Sequence, residues 1–161
     1  MKTYREGAKG ALLDEYERAI LDLQYVISDV SDQHLTRLVD AHTKDEDCRS
    51  VQTILSHVVR SGNAYAIIIR NHKGYYDTFP ERKFHARTQE YHQDLSRMFQ
   101  FTEGIFQEID NNELEQPDHS KKMMSTWGQL YDIEQLMEHA IVHILRHRRQ
   151  IEKFKMLLET K

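Results

Sequence analysis

Apolar residues recur at steps of three and four over four stretches of the chain, and each stretch reads as an amphipathic helix. The first runs from about Ala8 to Val30, with Leu12, Tyr16, Ala19, Leu23, Val26 and Val30 along one face. A polar connection from Ser31 to Arg49 follows, with room for a short turn around Leu35 to Val39. Ser50 is placed to cap a second helix that continues to about Arg70 through Val51, Ile54, Val58, Tyr65 and Ile69, and Asn71-His72-Lys73-Gly74 ends it. Beyond Pro80, a third helix is predicted from about Phe84 to Ile109, its stripe formed by Tyr91, Leu95, Met98, Thr102, Ile105 and Ile109. After Pro117, Thr126-Trp127-Gly128-Gln129 has capping-box spacing, which predicts that a fourth helix starts there and runs to about Leu158. No alternating pattern long enough for a useful strand interrupts this series, and no internal repeat exceeds the helical period. The expected architecture is all-α: one domain over residues 1–161, folded as a four-helix bundle of antiparallel type.

Composition narrows the function classes. The hydrophobic share is 39% and the charged share 30%, which suits helices with narrow apolar stripes and broad solvated faces. With 22 Lys+Arg against 26 Asp+Glu the formal net charge is −4, so no nucleic-acid partner is expected. There is no run of about 18 apolar residues, and the opening Met1-Lys2-Thr3-Tyr4-Arg5-Glu6 has no signal-peptide core, so a cytoplasmic protein without membrane contact is expected. Cys48 is the single cysteine; it has no CxxC partner and receives no catalytic role.

The candidate chemistry lies in the histidines. In the fourth helix the predicted apolar line Leu136, Ala140, His143, His147, Ile151, Phe154, Leu158 is broken by two imidazoles four residues apart. Positions i and i+4 differ by about 40° of rotation and about 6 Å of rise, so both rings can converge on one ion. Ten histidines in 161 positions make such pairs common, but a run at i, i+4, i+8, as in His139, His143 and His147, is expected only about 0.04 times by chance. His57 lies on a similar line of the second helix, Ile54, His57, Ser61, Ala64, Ile68, where small neighbours leave room for a ligand. His139 is assigned a half-exposed, supporting position. His34, His42, His72, His85, His92 and His119 are read as solvated. Arg146, Arg148, Arg149 and Lys153 form a basic cluster with two readings, a solvated face near the helix C-terminus or a clamp for an anionic group. Gln150 has two readings, a group that orients a ligand or contacts substrate and an ordinary surface amide; Tyr65, Tyr75 and Tyr76 likewise read as lining a pocket mouth or as packing residues at helix ends.

With Ile54-Leu55-Ser56-His57 in the second helix and His143-x-x-x-His147-Arg148-x-Gln150 in the fourth, the chain resembles the DinB/YfiT-like superfamily of metalloenzymes. The resemblance follows helix order and spacing over essentially the whole chain, and the final motif is its most specific part. It implies a DinB-type bundle, often a homodimer, and a metal triad of His57, His143 and His147. Arg149 stands where the family usually has glycine, and Arg146 adds another charge. Three neutral imidazoles suit Zn, Ni, Fe(II) or Cu and leave a coordination position open. The implied activity is a transfer of a low-molecular-weight thiol, such as bacillithiol or mycothiol, to a small electrophile, with Arg146, Arg149 and Gln150 as substrate-binding candidates. Two other readings stand beside it: metal-assisted hydrolysis with Glu138 or Glu134 as base, and a non-catalytic, stress-related assembly module that pairs through Leu13, Ile20, Ile141, Leu145 and Met156.

Overall fold

The computed structural model describes residues 3–160; Met1, Lys2 and Lys161 lie outside that range. Four long helices and one short one account for most of it: α1 Gly7–Ile27, the short α2 Asp32–Thr36, α3 Val51–His72, α4 Thr88–Phe106 and α5 Ile133–Glu159. The α1 helix packs on α4 and α5, and α3 packs on the same two, so the four long helices enclose one continuous apolar core. Leu23, Ile54, Leu95, Leu136 and Ile151 are all fully buried there. Among the described residues, no helix is long and apolar enough to cross a membrane.

Helix directions are mixed. Gln24 of α1 reaches Ser96 of α4 while Arg5 reaches Glu103, so α1 and α4 run antiparallel. The same logic makes α1 parallel to α5, where Asp22 pairs with Arg148 and Asp29 with Lys155. The α3 helix is parallel to α4, and antiparallel to α5. The antiparallel expectation therefore holds for two of the four packed pairs. The reason is the α3–α4 connection, which runs back along α3: Arg60 donates to the Pro80 carbonyl, Arg82 to that of Thr53, and Gln52 to that of His85. These cross-links keep residues 80–87 extended, and α4 starts at Thr88 rather than near Phe84.

The start of α5 also differs from expectation. Thr126-Trp127-Gly128-Gln129 forms a hairpin turn between two short strands, β1 Met123–Met124 and β2 Leu130–Tyr131, paired antiparallel. Gly128 has φ +84°, a left-handed conformation that suits glycine and does not open a helix. The functioning capping box is six residues later, where the Asp132 side chain accepts from the Gln135 amide and Gln135 accepts from the Asp132 amide. On α3 the expected cap is present: Ser50 and Thr53 cap each other.

Leu13 and Ile20, expected on a dimer face, are buried in this chain's own core, and Ile141 and Leu145 pack partly against it; of that set only Met156 is largely exposed. Gly62 marks the closest approach of three helices. A Cβ there would collide with the Met98 sulfur and lie 2.8 Å from the Tyr16 hydroxyl oxygen. Gly62→Ala is expected to cost about 1–3 kcal/mol through overpacking, read as a lower urea midpoint; an unchanged or raised midpoint would show that Met98 yields without strain.

Candidate metal centre

His57 occupies the second turn of α3, and His143 and His147 successive turns of α5. The early part of α3 packs against the middle of α5, and the three rings meet. His57 Nε2 lies 2.9 Å from His143 Nε2, and His147 Nε2 lies 3.2 Å from the same atom. One ligand atom from each ring fits within 4.8 Å of the others.

The outer ring nitrogens fix the tautomers. His57 Nδ1 is 2.8 Å from Asp47 Oδ2, and His147 Nδ1 is 2.6 Å from Gln150 Oε1. Both partners are acceptors, so each Nδ1 carries the hydrogen and each Nε2 presents a lone pair to the centre. A proton on His143 Nε2 cannot satisfy both neighbours. Burial lowers all three pKa values. His143 is pushed down to about 2 by burial first and then by His147 and His57; His147 falls to about 4 by burial and the nearby His57. His57 is lowered by burial despite the opposing charge of Asp47. The result is a set of neutral imidazoles whose Nε2 atoms converge, a donor set that suits a divalent cation. For comparison, nitrogens about 2.0–2.1 Å from a tetrahedral ion are about 3.3 Å apart.

Asp47 was not legible as a site residue. It arrives on a 3-10 turn at Glu46–Cys48, capped by Asp45, and its second oxygen is held by Arg82 from the α3–α4 connection. Cys48 comes with it. The thiol is buried, is 3.3 Å from Asp45 Oδ2, and is in contact with the Gln150 amide; burial and Asp45 push its pKa up to about 11. A protonated thiol behind Gln150 packs and positions, and is no nucleophile at neutral pH.

Not every predicted residue joins the site. Ile144 and His147 take the core positions of α5, whereas His143 and His139 sit at its rim, half buried. Arg146 is exposed but close enough to lower the pKa of His143 and His147. Arg149 is exposed and about 160° around the helix from His147, on the wrong side to hold a ligand at the trio. Arg148 pairs with Asp22 and Glu152 on the α1 side. Glu138 is exposed, and Glu134 has Glu115, Glu138 and Asp132 as charged neighbours, so the carboxylates beside the trio are Asp45 and Asp47 instead. Tyr65 contacts the rings of His139 and His143. Tyr75 binds Arg70 and Glu108 and Tyr76 is solvated, so neither lines the site. His85, expected in solvent, is partly buried, 2.7 Å from Asp94 and against the Tyr91 ring.

No family model matches the chain, and no curated protein matches it. Among solved structures, the crystal structure of a conserved protein of locus from Enterococcus faecalis is similar, with a TM-score of 0.71 at 11% identity, covering 98% of this chain and 100% of that one. At that identity the likeness concerns the fold alone.

The lowered pKa values carry a sign. Below pH 6.5 the unfolded chain binds protons that the folded, metal-free site refuses, so stability is full above that pH and falls as pH drops toward the folded values. Between pH 6.5 and 5, above the carboxylate range, each such histidine is expected to remove up to about 1.4 kcal/mol per pH unit. Urea denaturation of chelator-treated protein should show this slope, reduced in a His143→Gln, His147→Gln variant; equal slopes in both proteins would place the proton uptake elsewhere.

Proposed function

We propose that the chain is a metal-dependent enzyme of the DinB/YfiT-like type, with the four-helix bundle characteristic of that superfamily. The observation that supports this reading best is the convergence of three Nε2 atoms, two of them with lone pairs fixed by acceptors behind the ring. His57, His143 and His147 would hold the ion. Three protein ligands leave a position for water or substrate, as catalytic rather than closed structural sites do. The His57 side chain remains 26% exposed, which gives that position access to solvent.

A divalent ion bound there supplies Lewis acidity, enough to keep a thiol in its nucleophilic thiolate form at neutral pH. The protein's own groups do the rest. Asp47 and Gln150 hold two rings in register, and second-sphere partners of this kind are worth about 10–100-fold in metal affinity or activity. Arg146 is an exposed positive charge whose field reaches His143 and His147, where it suits an anionic group on a thiol cofactor or a small electrophile. The reaction we favour is transfer of a low-molecular-weight thiol to that electrophile.

Hydrolysis is the second reading, and one feature favours it. Asp45 lies near His57 and His147; burial opposes its ionisation, but hydrogen bonds from the Cys48 thiol and the Asp47 amide favour the carboxylate. A carboxylate so placed can accept a proton from a water molecule.

Elemental analysis of untagged protein is expected to give one divalent ion per chain, and none in a His57→Ala, His143→Ala variant. Asp47→Asn should keep the fold but weaken metal binding about 10–100-fold. With metal bound, conjugation that needs the thiol supports transfer, and turnover without thiol supports hydrolysis. Protein that retains full metal after both histidines are removed would overturn the site.

A further inference from the structure

A continuous wall of aromatic rings leads from the surface to His143. Trp127, at the tip of the β1–β2 hairpin, stacks on His139 at 4.9 Å between centroids and 22° between planes. His139 is in edge contact with Tyr65 at 5.5 Å, and Tyr65 meets His143 at 5.7 Å. Tyr131 closes the outer side, 5.8 Å from Trp127 and 5.7 Å from His139. Tyr65 is buried, but Trp127 is 41% exposed.

That exposure is not the looseness of a loop tip. The turn is braced by hydrogen bonds from the Ser125 amide to the Gln129 carbonyl, from the Gly128 amide to the Ser125 carbonyl and from the Gln129 amide to the Ser125 hydroxyl. The indole Nε1 and the Tyr131 hydroxyl both donate to Gln129 Oε1, at 2.8 and 2.6 Å, so both rings are oriented as well as placed. A braced aromatic surface, partly open and ending at a candidate ligand, is pre-organised to stack a flat apolar group at little entropic cost.

We propose that the substrate carries a planar aromatic ring, which lies against the open side of the stacked Trp127–His139 pair while its donor atom reaches the centre of the three histidines. This rests on the metal-centre reading and deepens it. The hairpin is then the specificity element, and Trp127 and His139 are substrate-binding residues, backed by the buried Tyr65.

Two hydroxamates that share a metal-binding head group but differ in their tail test this in zinc-loaded protein. Benzohydroxamate carries a ring; acetohydroxamate carries a methyl group. Trp127 is the only tryptophan in the chain, so its fluorescence reports contact directly while calorimetry reports affinity. Benzohydroxamate is expected to bind at least about fivefold more tightly than acetohydroxamate and alone to change Trp127 emission. Trp127→Ala, with circular dichroism and zinc content unchanged, should shrink the preference by about fivefold, and His139→Leu should shrink it in part. Equal affinity of the two hydroxamates, or a preference that survives Trp127→Ala, overturns the aromatic inference and leaves the metal centre standing. Failure of both to bind zinc-loaded protein, or failure of the protein to take up zinc, defeats the metal-centre reading itself.

Discussion

The Nε2 atoms of His57 and His147 lie 2.9 and 3.2 Å from that of His143, and the three have too few protons to satisfy all their contacts once Asp47 and Gln150 have claimed the outer hydrogens of two rings. That shortfall of positive charge at the meeting point of α3 and α5 is the constraint the rest of the structure serves. Burial enforces it by keeping the rings neutral, and the antiparallel course of α3 and α5 enforces it geometrically. Elsewhere in the bundle charged groups find partners of opposite sign, as in the Lys122–Asp132 ion pair beneath the hairpin. At the histidine trio, by contrast, ring nitrogens of like chemistry face one another.

The helices supply the three histidines, while the irregular segments decide how their rings are held. The 28–50 connection returns Asp45, Asp47 and Cys48 to the start of α3, anchored by the fully buried Leu35 and closed by the Val39 and Asp40 amides on the Arg49 carbonyl. The 107–132 connection carries the hairpin that adds Trp127 and Tyr131. Each long connection thus contributes chemistry at a different edge of the same centre.

The helical stripes made the all-α class and the approximate span of each long helix readable, because burial on one face imposes a period the sequence cannot hide. Their ends were less readable. Thr126 and Gln129 have the spacing of a capping box, yet Gly128 between them favours a tight turn, and Asp132 with Gln135 offers the same spacing six residues on. The histidine trio was legible through the resemblance and the i,i+4 spacing. Asp47 was not, because its partner His57 is reached only by folding a polar loop with no period of its own, and no spacing rule connects Asp47 to Arg82. His143 fell on the predicted core line but sits one position off it, since Ile144 better fills the seam and leaves the imidazole at the rim. The aromatic wall joins residues from α3, the hairpin and α5, and only tertiary structure could assemble it.

Arg82 is reached only because the α3–α4 connection doubles back along α3, and its guanidinium grips both the Thr53 carbonyl and Asp47. Two otherwise separate stretches of loop are therefore fastened to each other directly behind one imidazole. Slack introduced in either stretch, however far from the centre in sequence, is delivered to His57 as a loss of ring orientation. A change in loop length can retune such a centre while every helix stays where it is.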